Sequence, residues 1–331
     1  MDASVQLPAL GWAVLNQWQR DLPLVSRPFQ AMALHHGCSE QDVLDHLQLA
    51  LQTGTLARIG GIIAPNTVGC STLAAVSVPA EQVASAAAYI NQFEGVNHNY
   101  LREHHYNIWF VLTAPNRVQL NAVLAQIGSH LNTRVLDLPL QAEYHVDLGF
   151  SLHDGKKAVH RPAPQLPQDL SASQRQLLAI LARGLPLEAT PFASVAAELG
   201  WTEDQVIEQF ATWQASGLLR RMGLIVRHRR LGFHANAMCV WQVPLAMRDA
   251  IGEQMAQHAH VHLCYARPAQ GEDWPYNLFA MVHGQQREQV LAHIQSMNQV
   301  LDLQAMPHAV LFSTQCFKQS GASYQEIKHA H

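Results

Sequence analysis

Two segments of this 331-residue chain concentrate side chains able to grip anions and move protons. The first is Asn97-His98-Asn99-Tyr100-Leu101-Arg102-Glu103-His104-His105-Tyr106-Asn107-Ile108-Trp109-Phe110; the second is Arg227-His228-Arg229-Arg230, followed by Leu231-Gly232-Phe233. Guanidinium groups bind carboxylates in pairs and resist deprotonation. Imidazole titrates near neutrality, so it can deliver a proton, and it also ligates iron. Alternate residues of an extended strand share a face, which groups His98, Tyr100 and Arg102. A plainer reading stands beside this one, in which the first segment is a hairpin edge with solvated polar residues and the second a charged turn. Taken together, the two segments favour a site for a polyanion.

The elements that must position these groups occur twice, at an offset of 163 residues. Leu22-Pro23-Leu24 returns as Leu185-Pro186-Leu187, Pro28-Phe29 as Pro191-Phe192, Gly54 as Gly217, Arg58 as Arg221, Gly60 as Gly223 and Gly69 as Gly232. Shared turn residues and apolar spacing imply two modules arranged as a pseudo-two-fold dimer within one chain. Their ionic groups differ. Where the second module has Arg227 to Arg230, the first has Ala64-Pro65-Asn66-Thr67. Tyr100 and Arg102 recur as Tyr265 and Arg267, whereas Leu263 stands where His98 would. A feature missing from its own duplicate is not needed for folding, so the unmatched ionic groups are expected to carry the function.

Each module opens with helical signals. Ser39 reads as an N-cap before Glu40, Asp42, Val43, Leu44, Leu47 and Leu51; Thr202 does the same before Glu203, Asp204, Val206, Ile207 and Phe210. Extended segments follow near 58–64, 72–78, 96–102 and 106–112. They are interleaved with a helix carrying Val83, Ala87 and Ile90 and a later one carrying Val118, Val123, Leu124 and Ile127. The second module presents Met247, Ile251 and Met255 in one helix and Val290, Ile294, Met297 and Leu301 in the other. The expected class is α+β, with each module a helix-turn-helix unit followed by a ferredoxin-like βαββαβ domain. The expected boundaries are 1–57 and 58–152, a Pro-rich linker at 153–170, then 171–220 and 221–331.

Composition narrows the function. A net charge of −4 with 14% charged residues provides no broad positive field for nucleic acid. Neither Ser39–Thr55 nor Thr202–Leu219 contains Lys or Arg, so each candidate reader helix would be repelled by phosphates. DNA is therefore not an expected partner. The five cysteines lack the close spacing of a metal or redox pair, and reduced, mostly buried thiols are expected. With no Lys or Arg before Arg20 and no long apolar run, neither a cleaved signal nor a membrane span is expected, which points to the cytoplasm.

The strings HNYLREHHYNIWFVL and LLRRMGLIVRHRRLGFHANAMCVW resemble the siroheme decarboxylases, an Lrp/AsnC-like family that includes fused two-module members of haem d1 biosynthesis. The resemblance spans most of the chain. It implies removal of the C12 and C18 acetate carboxyl groups of siroheme, giving 12,18-didecarboxysiroheme and CO₂, with no cofactor beyond the iron tetrapyrrole substrate. On this reading Arg102, Arg227, Arg229, Arg230 and Arg267 hold substrate carboxylates, Tyr100, Trp109, Phe233 and Trp241 contribute to an apolar slot, and Tyr265 is a further substrate-binding residue. His98 and His228 are the first candidates for proton donor, followed by His104 and His105; His98 or His228 is also a candidate axial ligand to the substrate iron, the protein holding no metal of its own. The alternatives are an Lrp/AsnC-type or haem-responsive regulator and a noncatalytic tetrapyrrole carrier. Further homo-oligomerisation stays open.

Overall fold

The structure is a computed structural model describing residues 7–146, 149, 151–153 and 169–324. The chain opens with α1 (Ala9–Gln17), α2 (Pro28–His36) and α3 (Glu40–Gln52). Pro28 occupies the first turn of α2, where a missing N–H is harmless, and Gly37 ends that helix at φ 65°. Ser39 and Asp42 form a reciprocal capping box on α3, whose Val43, Leu47 and Ala50 face inward. There follow β1 (Leu56–Ile63), β2 (Cys70–Val76), α4 (Val83–Asn91), β3 (Val96–Arg102), β4 (Ile108–Ala114), α5 (Arg117–Leu131), β5 (Val135–Pro139) and β6 (Ala142–Val146).

The second module repeats the plan as α6 (Ala172–Arg183), α7 (Pro191–Leu199), α8 (Glu203–Ala215), β7 (Leu219–Val226), β8 (Ala235–Trp241), α9 (Leu245–Met255), β9 (Val261–Ala266), β10 (Leu278–Gly284), α10 (Arg287–Val300) and β11 (His308–Gln319). Thr202 and Gln205 cap α8 as Ser39 and Asp42 cap α3. Most of the expected linker, residues 154–168, lies outside the described residues.

The chain divides into two compact units, and each draws on both modules. One comprises Met1–Val68 with Pro162–Gly232, the other Gly69–Arg161 with Phe233–His331. In the first, β1 pairs antiparallel with β7, with Gly60 opposite Gly223. This corrects the expectation that the strand near 58 opens a ferredoxin-like domain, since it pairs with β7 in the unit that holds the helices. Both strands are apolar along most of their length, and β7 is almost wholly buried. Each finds its partner in the other, and the helical segments of the two modules supply the covering layer. The Leu224 N–H donates to Trp18 O (2.8 Å) and the Leu185 N–H to Ile59 O (2.8 Å), drawing the ends of α1 and α6 onto the ribbon. Glycine is required there: a Cβ at Gly223 would lie 2.5 Å from Gln19 O, and one at Gly60 2.8 Å from Leu181 O.

The second unit is a nine-stranded sheet in the order β5-β2-β4-β3-β11-β8-β10-β9-β6. Each half contains a βαββαβ arrangement, one from β2 to β5 and the other from β8 to the first part of β11. The halves then exchange strands: β6 of the first module pairs with β9, while Ser313–Gln319 of β11 leave β8 and pair with β3. The pairing of β5 and β6 matches that of the two parts of β11, which preserves the pseudo-two-fold. Helices α4 and α5 cover one face of the first half through Val76, Ile90, Phe110 and Ile127; α9 and α10 cover the second through Trp241, Met255, Val282 and Ile294. The helix-free faces share a third cluster that includes Leu73, Trp109, Leu138, Met238, Phe279 and Leu311. Val118 (79% exposed) and Met247 (47%) fall outside these cores, contrary to the helical faces expected from the sequence. Only Cys239 and Cys264 are buried; Cys316 is exposed, so the expectation of mostly buried thiols fails.

Candidate functional site

The first segment occupies β3, the turn after it and β4, in the second unit. Cross-strand pairing of His98 with Val111 and of Tyr100 with Trp109 puts His98, Tyr100 and Arg102 on the helix-free face, while Asn99 turns to the other face and donates to Ala87 O and Asn91 Oδ1. The grouping expected from strand alternation is present. The His98 and Tyr100 rings are 6.2 Å apart, and the Arg102 guanidinium lies 5.6 Å from the Tyr100 ring centre. His98 is half-buried, with Nδ1 2.8 Å from Asn97 Oδ1. An amide oxygen accepts, so Nδ1 is the donor in this pair, and the bond orients the ring.

His104 and His105 lie in the turn. His104 stacks on Tyr106 (6.4 Å) and meets Trp274 edge-on (5.5 Å), and its Nδ1 accepts the Tyr106 N–H at 3.1 Å. Burial, reinforced by the neighbouring His105, holds His104 below the ordinary imidazole pKa. An imidazole kept neutral with one nitrogen already accepting makes a poor general acid. His105 is exposed, edge-on to Tyr106 at 5.3 Å.

The recurring Tyr–Arg pair has a packing explanation. The Arg102 guanidinium donates to Leu311 O at 3.0 Å, and Arg267 donates to Leu138 O. Leu311 and Leu138 occupy matching positions in β11 and β5, so the two contacts are pseudo-symmetric copies. Each ties a strand of one module to the other. Arg267 also lies 4.6 Å over the Tyr265 ring, and Tyr265 stacks on Phe279 at 5.6 Å. A structural task performed twice accounts for residues that occur twice. The expected aromatic slot is corrected in part. Trp241 is wholly buried against α10 and donates to Asn298 Oδ1; Trp109 is 1% exposed, donates to Tyr106 O at 2.7 Å and packs on Trp274 at 4.9 Å. Neither presents an open ring face.

The second segment lies in the first unit. Arg227 follows β7, and His228–Leu231 form a 3-10 turn closed by Gly232 at φ 92°. The Arg227 N–H donates to Thr55 O (2.8 Å) and its guanidinium to Gly54 O (3.0 Å). His228 Nε2 lies 3.4 Å from Gln19 Oε1. Arg227, His228 and Arg229 are half-buried and Arg230 is exposed. Expected site residues therefore fall in both units: His98, Tyr100, Arg102, His104, His105, Trp109, Tyr265, Arg267 and Phe233 in one, Arg227 to Arg230 in the other.

Sequence reasoning used Arg58 and Arg221 only as markers of the repeat. They lie on the same face of the β1–β7 ribbon as the glycine pair, Arg58 opposite Ile225 and Arg221 opposite Ile62. Arg221 is 7% exposed. Burial, with repulsion from Arg221 and Arg227, pulls the Arg58 pKa down to about 10, and burial does the same to Arg220. The available signal was an arginine kept two residues before a kept glycine in both copies. A second cluster was also missed: buried His262 and His283 on β9 and β10 have their Nδ1 atoms 3.2 Å apart, with Asn236 2.9 Å from His283 Nε2. Among the described residues, no group of three or more His, Cys, Asp or Glu side chains gathers as metal ligands would, and no helix is long and apolar enough to cross a membrane.

Paired helix-turn-helix units and paired ligand-binding sheets define a fused protein of the AsnC-like class. The model for the AsnC-like ligand binding domain matches residues 67–145 and 230–318, and that for the siroheme decarboxylase NirDL-like HTH domain matches 13–56 and 174–220. The chain is 38% identical over 314 residues to the siroheme decarboxylase NirDL subunit of Paracoccus denitrificans (strain Pd 1222), covering 95% of this chain and 97% of that one. It is 31% identical over 324 residues to the siroheme decarboxylase of Hydrogenobacter thermophilus, covering 94% and 93%. The crystal structure of the siroheme decarboxylase NirDL in co-complex with an iron-uroporphyrin III analogue superposes with a TM-score of 0.66 at 28% identity, covering 94% of this chain and 93% of that one. The chain belongs to the siroheme decarboxylase family.

Proposed function

We propose that this protein is a carboxy-lyase that converts siroheme to 12,18-didecarboxysiroheme, in the cytoplasm and without an organic cofactor. The observation that carries the reading is the 38% identity to a siroheme decarboxylase subunit along 95% of the chain. The chemistry suits the residues. Each step breaks the bond between an acetate methylene and its carboxylate, releases CO₂ and leaves an electron pair that the conjugated macrocycle delocalises; one proton then converts the methylene to methyl. The protein must hold the acetate so that the breaking bond overlaps the ring π system and must supply that proton.

His98 is the preferred donor in the second unit. It is absent from the duplicate module, half-buried and oriented through Nδ1 by Asn97, which directs Nε2 as the proton-transferring atom. His228, beside Arg227, Arg229 and Arg230, is the corresponding candidate in the first unit. Arg227, Arg229 and Arg230 are assigned to substrate carboxylates; Arg102 and Arg267 chiefly hold strands. Helices α3 and α8 begin with Glu40 and Asp42, and with Glu203 and Asp204, which opposes DNA as a partner. The test is anaerobic incubation of purified protein with siroheme, followed by mass spectrometry of the tetrapyrrole. Two successive losses of CO₂ are expected. Unaltered siroheme would remove the enzyme reading, and tight binding without turnover would leave a carrier.

A further inference from the structure

The first unit places three arginines on one short ribbon. Arg58 on β1 and Arg221 on β7 share one of its faces, and Arg227 just beyond β7 reaches back to the start of β1, its guanidinium donating to Gly54 O and Leu56 O; the charges of Arg221 and Arg227 both act on Arg58. Arg58 is wedged where side chains rarely fit. A Cβ at Gly60 would lie 3.1 Å from its Nε, and one at Gly184 3.0 Å from its Cβ, so both glycines clear room for it. No side chain among the described residues accepts from the Arg58 guanidinium, and its Nε has no hydrogen-bond partner there. Four acids of this unit are engaged elsewhere: Glu40 with Arg27, Asp42 with Ser39, Glu198 with Arg183 and Glu203 with Ser26.

Gathering like charges and partly drying them costs stability, and whereas Arg267 offsets its burial with a bond to Leu138 O, Arg58 has no hydrogen-bond partner for its Nε among the described residues to offset the cost. Such a cluster is consistent with a ligand that brings the missing negative charge, since each guanidinium fork matches a carboxylate. We propose that Arg58, Arg221 and Arg227 form an oxyanion subsite that takes carboxylate groups from the rim of the tetrapyrrole. The subsite deepens the siroheme reading and rests on it for the identity of the ligand. Duplex DNA is the disfavoured occupant, because the capped starts of α3 and α8 in the same unit are acidic.

The experiment compares wild type, Arg58→Gln and Arg58→Lys as full chains. Siroheme is titrated anaerobically by absorbance, and ligand-free thermal unfolding is recorded with and without citrate, a tricarboxylate probe. Loss of a charge-assisted bond pair should weaken siroheme binding by about 10- to 100-fold in Arg58→Gln, with partial rescue in Arg58→Lys. Ligand-free Arg58→Gln should melt no lower than wild type, because a repelling charge has been removed, and citrate should raise the Tm of wild type but not of Arg58→Gln. A purely structural arginine would give the opposite sign. If Arg58→Gln binds siroheme as wild type does, or melts lower while citrate stabilises both equally, the subsite is overturned. If wild type itself fails to bind siroheme, the siroheme reading fails, and the citrate arm still judges the anion subsite. Loss of duplex-DNA binding alone in Arg58→Gln would overturn the proposal in favour of nucleic acid.

Discussion

Replacing Gly223 with Ala tests whether the β1–β7 ribbon is seated as described. The added Cβ would lie 2.5 Å from Gln19 O, 2.6 Å from Gln19 C and 2.6 Å from Trp18 O. All three are main-chain atoms, so no side chain can swing aside, and an ordinary contact needs about 3.5 Å. The end of α1 must therefore retreat by close to 1 Å. It is held by the Leu224 N–H on Trp18 O (2.8 Å) and the Leu22 N–H on Met222 O (3.0 Å), which the retreat strains or breaks. Overpacking contributes about 1–3 kcal/mol and each compromised bond about 0.5–1.5 kcal/mol, so local opening should become easier by about 3 kcal/mol. Amide hydrogen exchange reads this directly, and the Leu224 and Leu22 amides should exchange roughly 100-fold faster. Gly232→Ala is the control. That glycine has φ 92°, and a Cβ added there would meet nothing within 4 Å, so only backbone strain of about 1–2 kcal/mol is expected. Unchanged protection at Leu224, or a smaller effect from Gly223→Ala than from Gly232→Ala, would refute the reasoning.

His98→Ala should retain siroheme binding while turnover slows by about 100-fold, whereas Arg227→Ala should raise the Kd; equal turnover in His98→Ala and wild type would remove the proton-donor assignment. Arg267→Met should destabilise the fold by about 1–3 kcal/mol through loss of its bond to Leu138 O, seen as a lower Tm, with less effect on siroheme Kd than Arg227→Ala, as measured by melting and titration. His36, His104 and His293 all have folded pKa values below the ordinary 6.5, led in each case by burial, so the unfolded chain binds more protons in that range. Stability should therefore be fully present above about pH 6.5 and decline as the pH falls below it, and His104→Gln should flatten part of that slope in Tm measured against pH.

Local structure was legible because its causes are local. Ser39 and Thr202 cap the helices that they precede, Pro28 and Pro191 start helices, and helical spacing put Ile90, Ile127, Ile294 and Met297 in cores. The shared face of His98, Tyr100 and Arg102 followed from strand alternation and survives a register shift between Val96 and His98. The short strands β5 and β6 escaped notice because five residues carry too little pattern to stand out beside a turn.

What the amino-acid sequence determined by itself was the repeat, the α+β order within each module and the inequality of their ionic groups. Partner choice was decided only in three dimensions. Strand pairing is settled by which apolar face finds cover, and that depends on residues distant in the chain, so nothing near β1 announces β7 and nothing near β6 announces β9. The same long-range contacts reassigned side chains of identical type. Arg102 and Arg267 became ties between exchanged strands, while Arg58, a mere repeat marker in sequence, came to rest beside Arg221 and Arg227, because the energy of a charge is set by its surroundings rather than by its neighbours along the chain.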